Sequence, residues 1–188
     1  MRRPGAIVGV LVVAAMVYIV LNTLRTEGPG SRGVPAGSTL PAFAVPLALS
    51  DLDGDANVSG RACSVRGPDV LNVCELYEQG DVVVAFFIES SERCDDQIDT
   101  LERVGERLPD VRFAAVAIKG DRDRLRGAVR ERGWTLPVGY DRDGAVANAY
   151  GVAVCPTITL ARRGGKVART LLGSQDEREL EAAIRELG

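Results

Sequence analysis

The order of apolar and polar residues along the chain predicts two buried strands joined by a helix. Residues 82–88 (VVVAFFI) and 111–118 (VRFAAVAI) are apolar without alternation, which is typical of strands covered on both faces. Between them, apolar residues recur at three- and four-residue intervals from Cys94 to Leu108, the spacing of one helix face. We therefore predict a helix over residues 92–108.

The rest of the chain predicts a second helix, a hairpin and a C-terminal helix. The second helix covers residues 121–132 and ends at a glycine. Strands at residues 157–161 and 166–172 flank an Arg-Arg-Gly-Gly turn, and the last helix covers residues 176–187. Because helices join the first strands and the last two strands form a hairpin, we predict an α/β fold. Its sheet is mixed, with helices on both faces.

An apolar run at residues 6–24 predicts a membrane anchor. As a helix, the run would span roughly 28 Å, close to the roughly 30 Å of a bilayer core. Arg2 and Arg3 precede it and Arg25 alone directly follows it, so the positive-inside rule places the N-terminus in the cytoplasm. The run lacks the small-residue cleavage site of a signal peptide. We therefore predict a cytoplasmic stub at residues 1–5, an uncleaved transmembrane helix and an extracytoplasmic remainder.

The residues after the predicted anchor separate it from the folded part of the chain. Residues 25–39 (RTEGPGSRGVPAGST) are rich in glycine, proline and serine, a composition typical of flexible linkers. The folded domain is therefore predicted to cover residues 40–188.

Composition narrows the chemistry that the domain can perform. The net charge is −3 and aromatic residues make up 5% of the chain, so neither a basic nor a base-stacking surface for nucleic acid is expected. The chain contains no histidine, which excludes histidine acid–base catalysis and removes the commonest metal ligand. We predict no metal and no cofactor, which leaves cysteine and carboxylate side chains as candidate reactive groups.

Three segments resemble the thioredoxin-like superfamily, in particular the TlpA-like and AhpC/TSA redoxins. Residues 86–94 (FFIESSERC) lie where thioredoxins carry a phenylalanine-led strand that ends in Trp-Cys-x-x-Cys. Residues 154–157 (VCPT) resemble the cis-proline loop, and residues 40–54 resemble the N-terminal extension of redoxins that are often membrane-tethered. The resemblance implies a thioredoxin-like fold, a cis peptide bond at Pro156 and thiol–disulfide oxidoreductase activity.

The chain departs from the family at the active-site motif. Cys94 falls on the second cysteine of Cys-x-x-Cys, and Ser91 occupies the position of the first. Ser90 replaces the tryptophan. The cysteine that attacks first in the family is therefore missing.

Four cysteines allow three disulfide pairings. We predict a static disulfide between Cys63 and Cys74, which are close in sequence and precede the central strand. The resemblance implies that Cys94 and Cys155 meet, because in thioredoxin-like folds the residue before the cis-proline packs against the start of the active-site helix.

Three functions remain open for this second pair. In the first, which we favour, Cys94 is a helix-activated thiolate and Cys155 resolves the mixed disulfide formed with an extracytoplasmic thiol or disulfide protein. Pro156 would then present a backbone edge to that partner. In the second, the pair is a permanent disulfide in a non-catalytic binding domain. In the third, Cys94 is a peroxidatic cysteine assisted by the hydroxyl of Ser91.

Three other features are interpreted as structural. Glu89 is expected at a solvated strand end, with a proton acceptor for a cysteine as the alternative, and Trp134 is expected in the core, with the lining of a groove beside the site as the alternative. An arginine cluster is expected on a solvated helix face, and its members are Arg122, Arg124, Arg126 and Arg130.

Overall fold

The computed structural model describes residues 11–18, 32–89 and 91–188. The predicted cytoplasmic stub, both ends of the predicted anchor at residues 6–24 and Ser90 lie outside the described residues. Residues 11–18 form a helix, α1. None of the helices in the described ranges has the length and apolar character that crossing a membrane requires.

Two sheets form the domain. Strands β1 (Ala44–Pro46) and β2 (Val70–Asn72) make a small antiparallel sheet. The main sheet has the order β5-β4-β3-β6-β7, and its strands are β3 (Asp81–Phe87), β4 (Val111–Ile118), β5 (Val138–Asp141), β6 (Thr157–Arg162) and β7 (Lys166–Leu172). Strands β3, β4 and β5 are parallel, whereas β6 and β7 add antiparallel pairs. The predicted mixed sheet is therefore confirmed.

Helices cover both faces of the main sheet, as predicted. They are α2 (Val73–Gln79), α3 (Glu92–Arg107), α4 (Arg122–Arg132), α5 (Ala145–Ala149) and α6 (Glu177–Arg185). Side chains alternate along β3, so Val83, Ala85 and Phe87 pack with α3, α4 and α6, while Val82, Val84 and Phe86 pack with α2 and α5. The apolar run of β3 arises because both of its faces are buried.

Short polar motifs set the limits of the predicted helices. Asp121 caps α4 by accepting backbone N–H bonds, and Gly133 ends it in the left-handed conformation. Asp176 and Glu179 form a capping box at the start of α6.

Residues 32–40 pack along the outer edge of the main sheet, beside β7. Val34 and Leu40 are buried there, and the backbone N–H of Gly37 donates to the carbonyl of Val167 at 2.8 Å. The linker predicted over residues 25–39 can therefore extend no further than residue 31, and the domain begins before Leu40.

The arginine cluster on α4 was expected to be solvated, and for two of its members this is wrong. Arg122 donates to the carbonyl oxygens of Leu47 and Leu52, and Arg126 donates to the carbonyl oxygens of Ala48 and Ser50. These guanidinium groups hold the loop after β1 against the domain, because they satisfy carbonyls that have no strand partner.

Candidate active site

The sheet topology brings Cys94 and Cys155 together at one end of the main sheet. Cys94 is the third residue of α3, which follows β3, and Cys155 lies in the loop before β6. Their Cα atoms are 6.0 Å apart, and their sulfur atoms form a disulfide. The peptide bond between Cys155 and Pro156 is cis. The two residues therefore occupy the positions that the resemblance implies.

The two cysteine residues differ in exposure to solvent. Cys94 is 2% exposed, because the first turn of α3 and the sheet cover it. Cys155 is partly exposed, and its Sγ accepts the backbone N–H of Ile88 at 3.3 Å. Of the two cysteines, Cys155 is thus the one on the more exposed side of the disulfide.

Large apolar side chains surround the exposed side of this disulfide. Ile88 follows β3 and is 50% exposed, Val154 precedes Cys155 and is 44% exposed, and Leu172 ends β7 and is 43% exposed. Leu172 pairs with Thr157, directly after the cis-proline. We call Ile88, Val154 and Leu172 the apolar rim, and their exposure is typical of a surface that contacts another protein.

Ser91 lies at the N-cap position of α3, where its backbone carbonyl accepts the N–H groups of Cys94 and Asp95. Its side chain makes no capping hydrogen bond. Ser91 therefore gives the first-turn N–H groups no side-chain acceptor, and the positive end of the helix favours negative charge near the start of α3.

Two buried carboxyl groups lie beside the disulfide, and Glu89 is one of them. Glu89 is 8% exposed, so the expected solvated strand end is wrong. Asp95 is also 8% exposed. Burial raises the pKa of the Asp95 carboxyl, the charge of Arg132 opposes this rise, and the charge of Glu89 adds to it. Both carboxyls line a cleft of about 370 Å³ between α3 and α4.

Gln97 is a site residue that the sequence analysis missed. It follows Cys94 by one helical turn, is 2% exposed, and accepts the backbone N–H of Gln175 with its Oε1 at 2.6 Å. Its contact fixes the loop before α6 next to the start of α3. The sequence could have indicated this role, because Gln97 is a polar residue three positions after Cys94 and adjoins the apolar positions of the predicted helix.

Trp134 is buried as expected. It is 6% exposed and packs edge-to-face on Phe87 with ring centroids 5.7 Å apart. Its Nε1–H donates to Asp99 at 2.6 Å, which anchors the residue after α4 to α3.

The second disulfide, between Cys63 and Cys74, lies on the face of the sheet covered by α2. The Cα atoms are 5.4 Å apart, and Cys74 is fully buried. Asn72 donates to the carbonyls of Ala62 and Val65, so the loop closed by this bond is also held by hydrogen bonds. No group of three or more cysteine, aspartate or glutamate side chains in residues 11–18, 32–89 and 91–188 could hold a metal ion.

Comparisons with known proteins agree with this architecture. Residues 66–170 match the sequence model of the AhpC/TSA family. The thiol-disulfide oxidoreductase ResA of Geobacillus thermodenitrificans is 25% identical over 179 residues, which cover 94% of this chain and 90% of the relative.

Solved structures show the same fold. A secreted Mycobacterium tuberculosis disulfide oxidoreductase homologous to E. coli DsbE superposes with a TM-score of 0.57 at 19% identity, covering 63% of this chain and 89% of its own. A thiol:disulfide interchange protein of the thioredoxin family from Chlorobium tepidum gives 0.65 at 13% identity, covering 82% and 99%. The predicted thioredoxin-like redoxin fold is thus confirmed.

Proposed function

Because the chain belongs to the AhpC/TSA family, we propose that it is a thiol–disulfide oxidoreductase whose redox pair is Cys94 and Cys155. The observation that carries this proposal is a disulfide placed between a helix N-terminus and a cis-proline loop, with one of its two cysteines partly exposed. The pair replaces Cys-x-x-Cys by taking its accessible cysteine from another part of the chain.

The difference in exposure assigns the order of the steps. A partner thiolate attacks Sγ of Cys155, a partner–Cys155 disulfide forms, the Cys94–Cys155 bond breaks, and Cys94 leaves as a thiolate. A second thiol of the partner then attacks the mixed disulfide and releases Cys155 as a thiolate. The partner loses two electrons as its own disulfide forms, and the same steps in reverse oxidise this protein.

This proposal exchanges the roles that the sequence suggested for the two cysteines. Cys94 is buried at 2% exposure, which suits a leaving and resolving group better than an attacking one. The N-terminus of α3 stabilises its thiolate, and a stabilised thiolate leaves faster. The backbone N–H of Ile88 gives the Cys155 sulfur a hydrogen bond that also favours negative charge.

Pro156 and the apolar rim provide the surface for the partner in this proposal. In this proposal an extended partner segment lies along the backbone beside Pro156, whose own carbonyl already accepts the N–H of Gly173 at 2.9 Å. Ser91 has a positioning role at the start of α3 and takes no part in electron transfer.

The low exposure of Cys94 also favours one alternative, a permanent disulfide in a non-catalytic binding domain. It argues against a peroxidatic role of Cys94 with Ser91, because peroxide must reach the sulfur directly.

The anchor at residues 6–24 and the extracytoplasmic location belong to the same proposal. Residues 11–18 are helical and expose their large apolar side chains, which favours contact with lipid. Two disulfides suit an oxidising compartment outside the cytoplasm. The expected extracytoplasmic partner is a protein that carries a thiol pair or a disulfide.

A glutathione redox series followed by non-reducing peptide mapping tests the proposal. Cys94–Cys155 should open and close at extracytoplasmic potentials while Cys63–Cys74 stays closed. Cys94→Ser should accumulate a mixed disulfide at Cys155, because no resolving thiol remains. Cys155→Ser should react slowly, and Cys63→Ser is the matched control that keeps exchange. If Cys94–Cys155 stays closed throughout, the binding domain is the correct function.

A further inference from the structure

We infer that residues 32–40 hold the disulfide edge of the domain toward the membrane, so that the redox pair acts on thiols presented at the membrane surface. This inference rests on the proposed anchor and redox function. It adds the location of the partner protein, because the chemistry of the two cysteines does not determine that location.

Residues 37–40 pair through their backbone with the start of β7, and a side-chain hydrogen bond continues the contact at Val34. The N–H of Leu40 donates to the carbonyl of Gly165, and Val167 donates to the carbonyl of Ser38. Farther along, the hydroxyl of Thr170 donates to the carbonyl of Val34 at 2.8 Å. The segment therefore runs antiparallel to β7 and covers the edge of the main sheet.

This direction determines where the chain enters the domain. Leu40 lies beside the hairpin, and Gly33 lies beside Thr170, near the end of β7 that faces the cis-proline loop. Strand geometry places Gly33 about 7 Å from that end and about two strand spacings to the side of β6, so it is on the order of 15 Å from Cys155. The chain thus enters at the end of the sheet that carries the redox pair.

The length of the connection limits how the domain can turn. Residues 25–31 separate the predicted anchor from the docked segment, and seven residues span at most about 25 Å. A domain of about 150 residues is about 40 Å across. With the disulfide end turned away from the bilayer, Gly33, about 7 Å from that end, would lie about 33 Å above the bilayer, which is beyond the reach of the connection.

The apolar rim lies on this membrane-directed edge. The partner that fits is a protein thiol pair or disulfide held at the outer surface of the membrane, on the side of the domain where the chain enters. The exposed apolar side chains then meet this partner as both are confined to one surface.

Energy transfer in vesicles tests the orientation without depending on redox chemistry. The full chain, reconstituted in vesicles with an acceptor-labelled lipid, carries a genetically encoded fluorescent amino acid at one of two exposed positions. Ser174 is at the disulfide end of the sheet, and Arg163 is in the hairpin at the opposite end. Transfer should be higher from Ser174, and equal transfer or higher transfer from Arg163 overturns the inference.

A pair of glycine substitutions tests the docked segment as the cause. In Gly33→Ala the new Cβ would lie 2.4 Å from Cγ2 of Thr170, whereas in Gly37→Ala nothing lies within 4 Å. Both glycines have positive φ, so the backbone cost is shared. Gly33→Ala should lose the difference in transfer between the two positions, and Gly37→Ala should keep it. If both variants behave as the parent, the docked segment does not set the orientation.

A second measurement separates this inference from the proposed function. Oxidised protein in the same vesicles is treated with a lipid-linked dithiol or with the same dithiol free in solution. A chain that reacts with neither refutes the redox function, while the energy transfer still reports the orientation. A chain that reacts with the soluble dithiol but gains nothing from the lipid-linked one overturns the inference alone.

Discussion

Removal of the Cys63–Cys74 disulfide should lower the stability of the domain and leave thiol exchange intact. The cysteines are separated by 11 positions, and the chain-entropy relation gives about 3 kcal/mol for a loop of that length. For a domain of this size, about 3 kcal/mol corresponds to a fall in melting temperature of about 6–12 °C. We choose Cys63→Ala with Cys74→Ala, because a serine hydroxyl at the fully buried position 74 would add a separate cost.

Thermal and urea unfolding of the oxidised double variant measure this loss, and reduction of a dithiol substrate measures the activity. The expected result is a lower urea midpoint with the same exchange rate per folded molecule. Two outcomes would refute the reasoning. An unchanged midpoint would show that the hydrogen bonds of Asn72 alone hold the loop, and a lost exchange rate would show that this disulfide takes part in electron transfer.

Three further substitutions probe the surroundings of Cys94. Asp95→Asn should raise the free energy of unfolding at neutral pH. Burial raises the pKa of the Asp95 carboxyl in the folded protein, so its ionisation as pH rises destabilises the fold, and asparagine removes that cost. The gain should vanish below about pH 4, as measured by urea unfolding at several pH values. Gln97→Glu should slow reduction of the Cys94 disulfide, because a carboxylate about 8 Å away disfavours the departing thiolate by about 2 kcal/mol, while Gln97→Leu lacks this charge and should be faster than Gln97→Glu in stopped-flow assays. Trp134→Phe should cost about 1 kcal/mol through the lost hydrogen bond to Asp99 and leave the exchange rate unchanged, measured by urea unfolding.

Periodicity predicted the central elements closely, because burial on both faces leaves a strong pattern. The apolar run at residues 111–118 coincides with β4. The helix expected over residues 92–108 is α3, which ends one residue earlier. The small sheet of β1 and β2 was not predicted, because each strand has only three residues and its pairing partner is distant in sequence.

The residues that escaped prediction are those whose roles depend on distant backbone. Arg122 and Arg126 look like solvated charges in a helix, and only the folded loop of residues 47–52 supplies the carbonyls that they bind. Residues 32–39 look like a flexible linker, since glycine and proline signal irregular backbone and do not show whether it is packed. The position of Cys155 beside Cys94 came from the resemblance, because sequence spacing alone cannot place residues that are far apart in the chain.

Under the proposed function, the separation of Cys94 and Cys155 makes the oxidation state a determinant of the protein's lifetime. A Cys-x-x-Cys pair closes a loop within one helical turn, whereas the bond between Cys94 and Cys155 closes a loop of 61 positions. By the chain-entropy relation, opening such a loop costs the fold about 4 kcal/mol. Every cycle of the proposed electron transfer would therefore pass through a form that unfolds more readily and is more often open to proteases. A shortage of oxidant would then lead to faster degradation of the reduced protein. The abundance of the protein would therefore follow the redox balance of the compartment in which it lies.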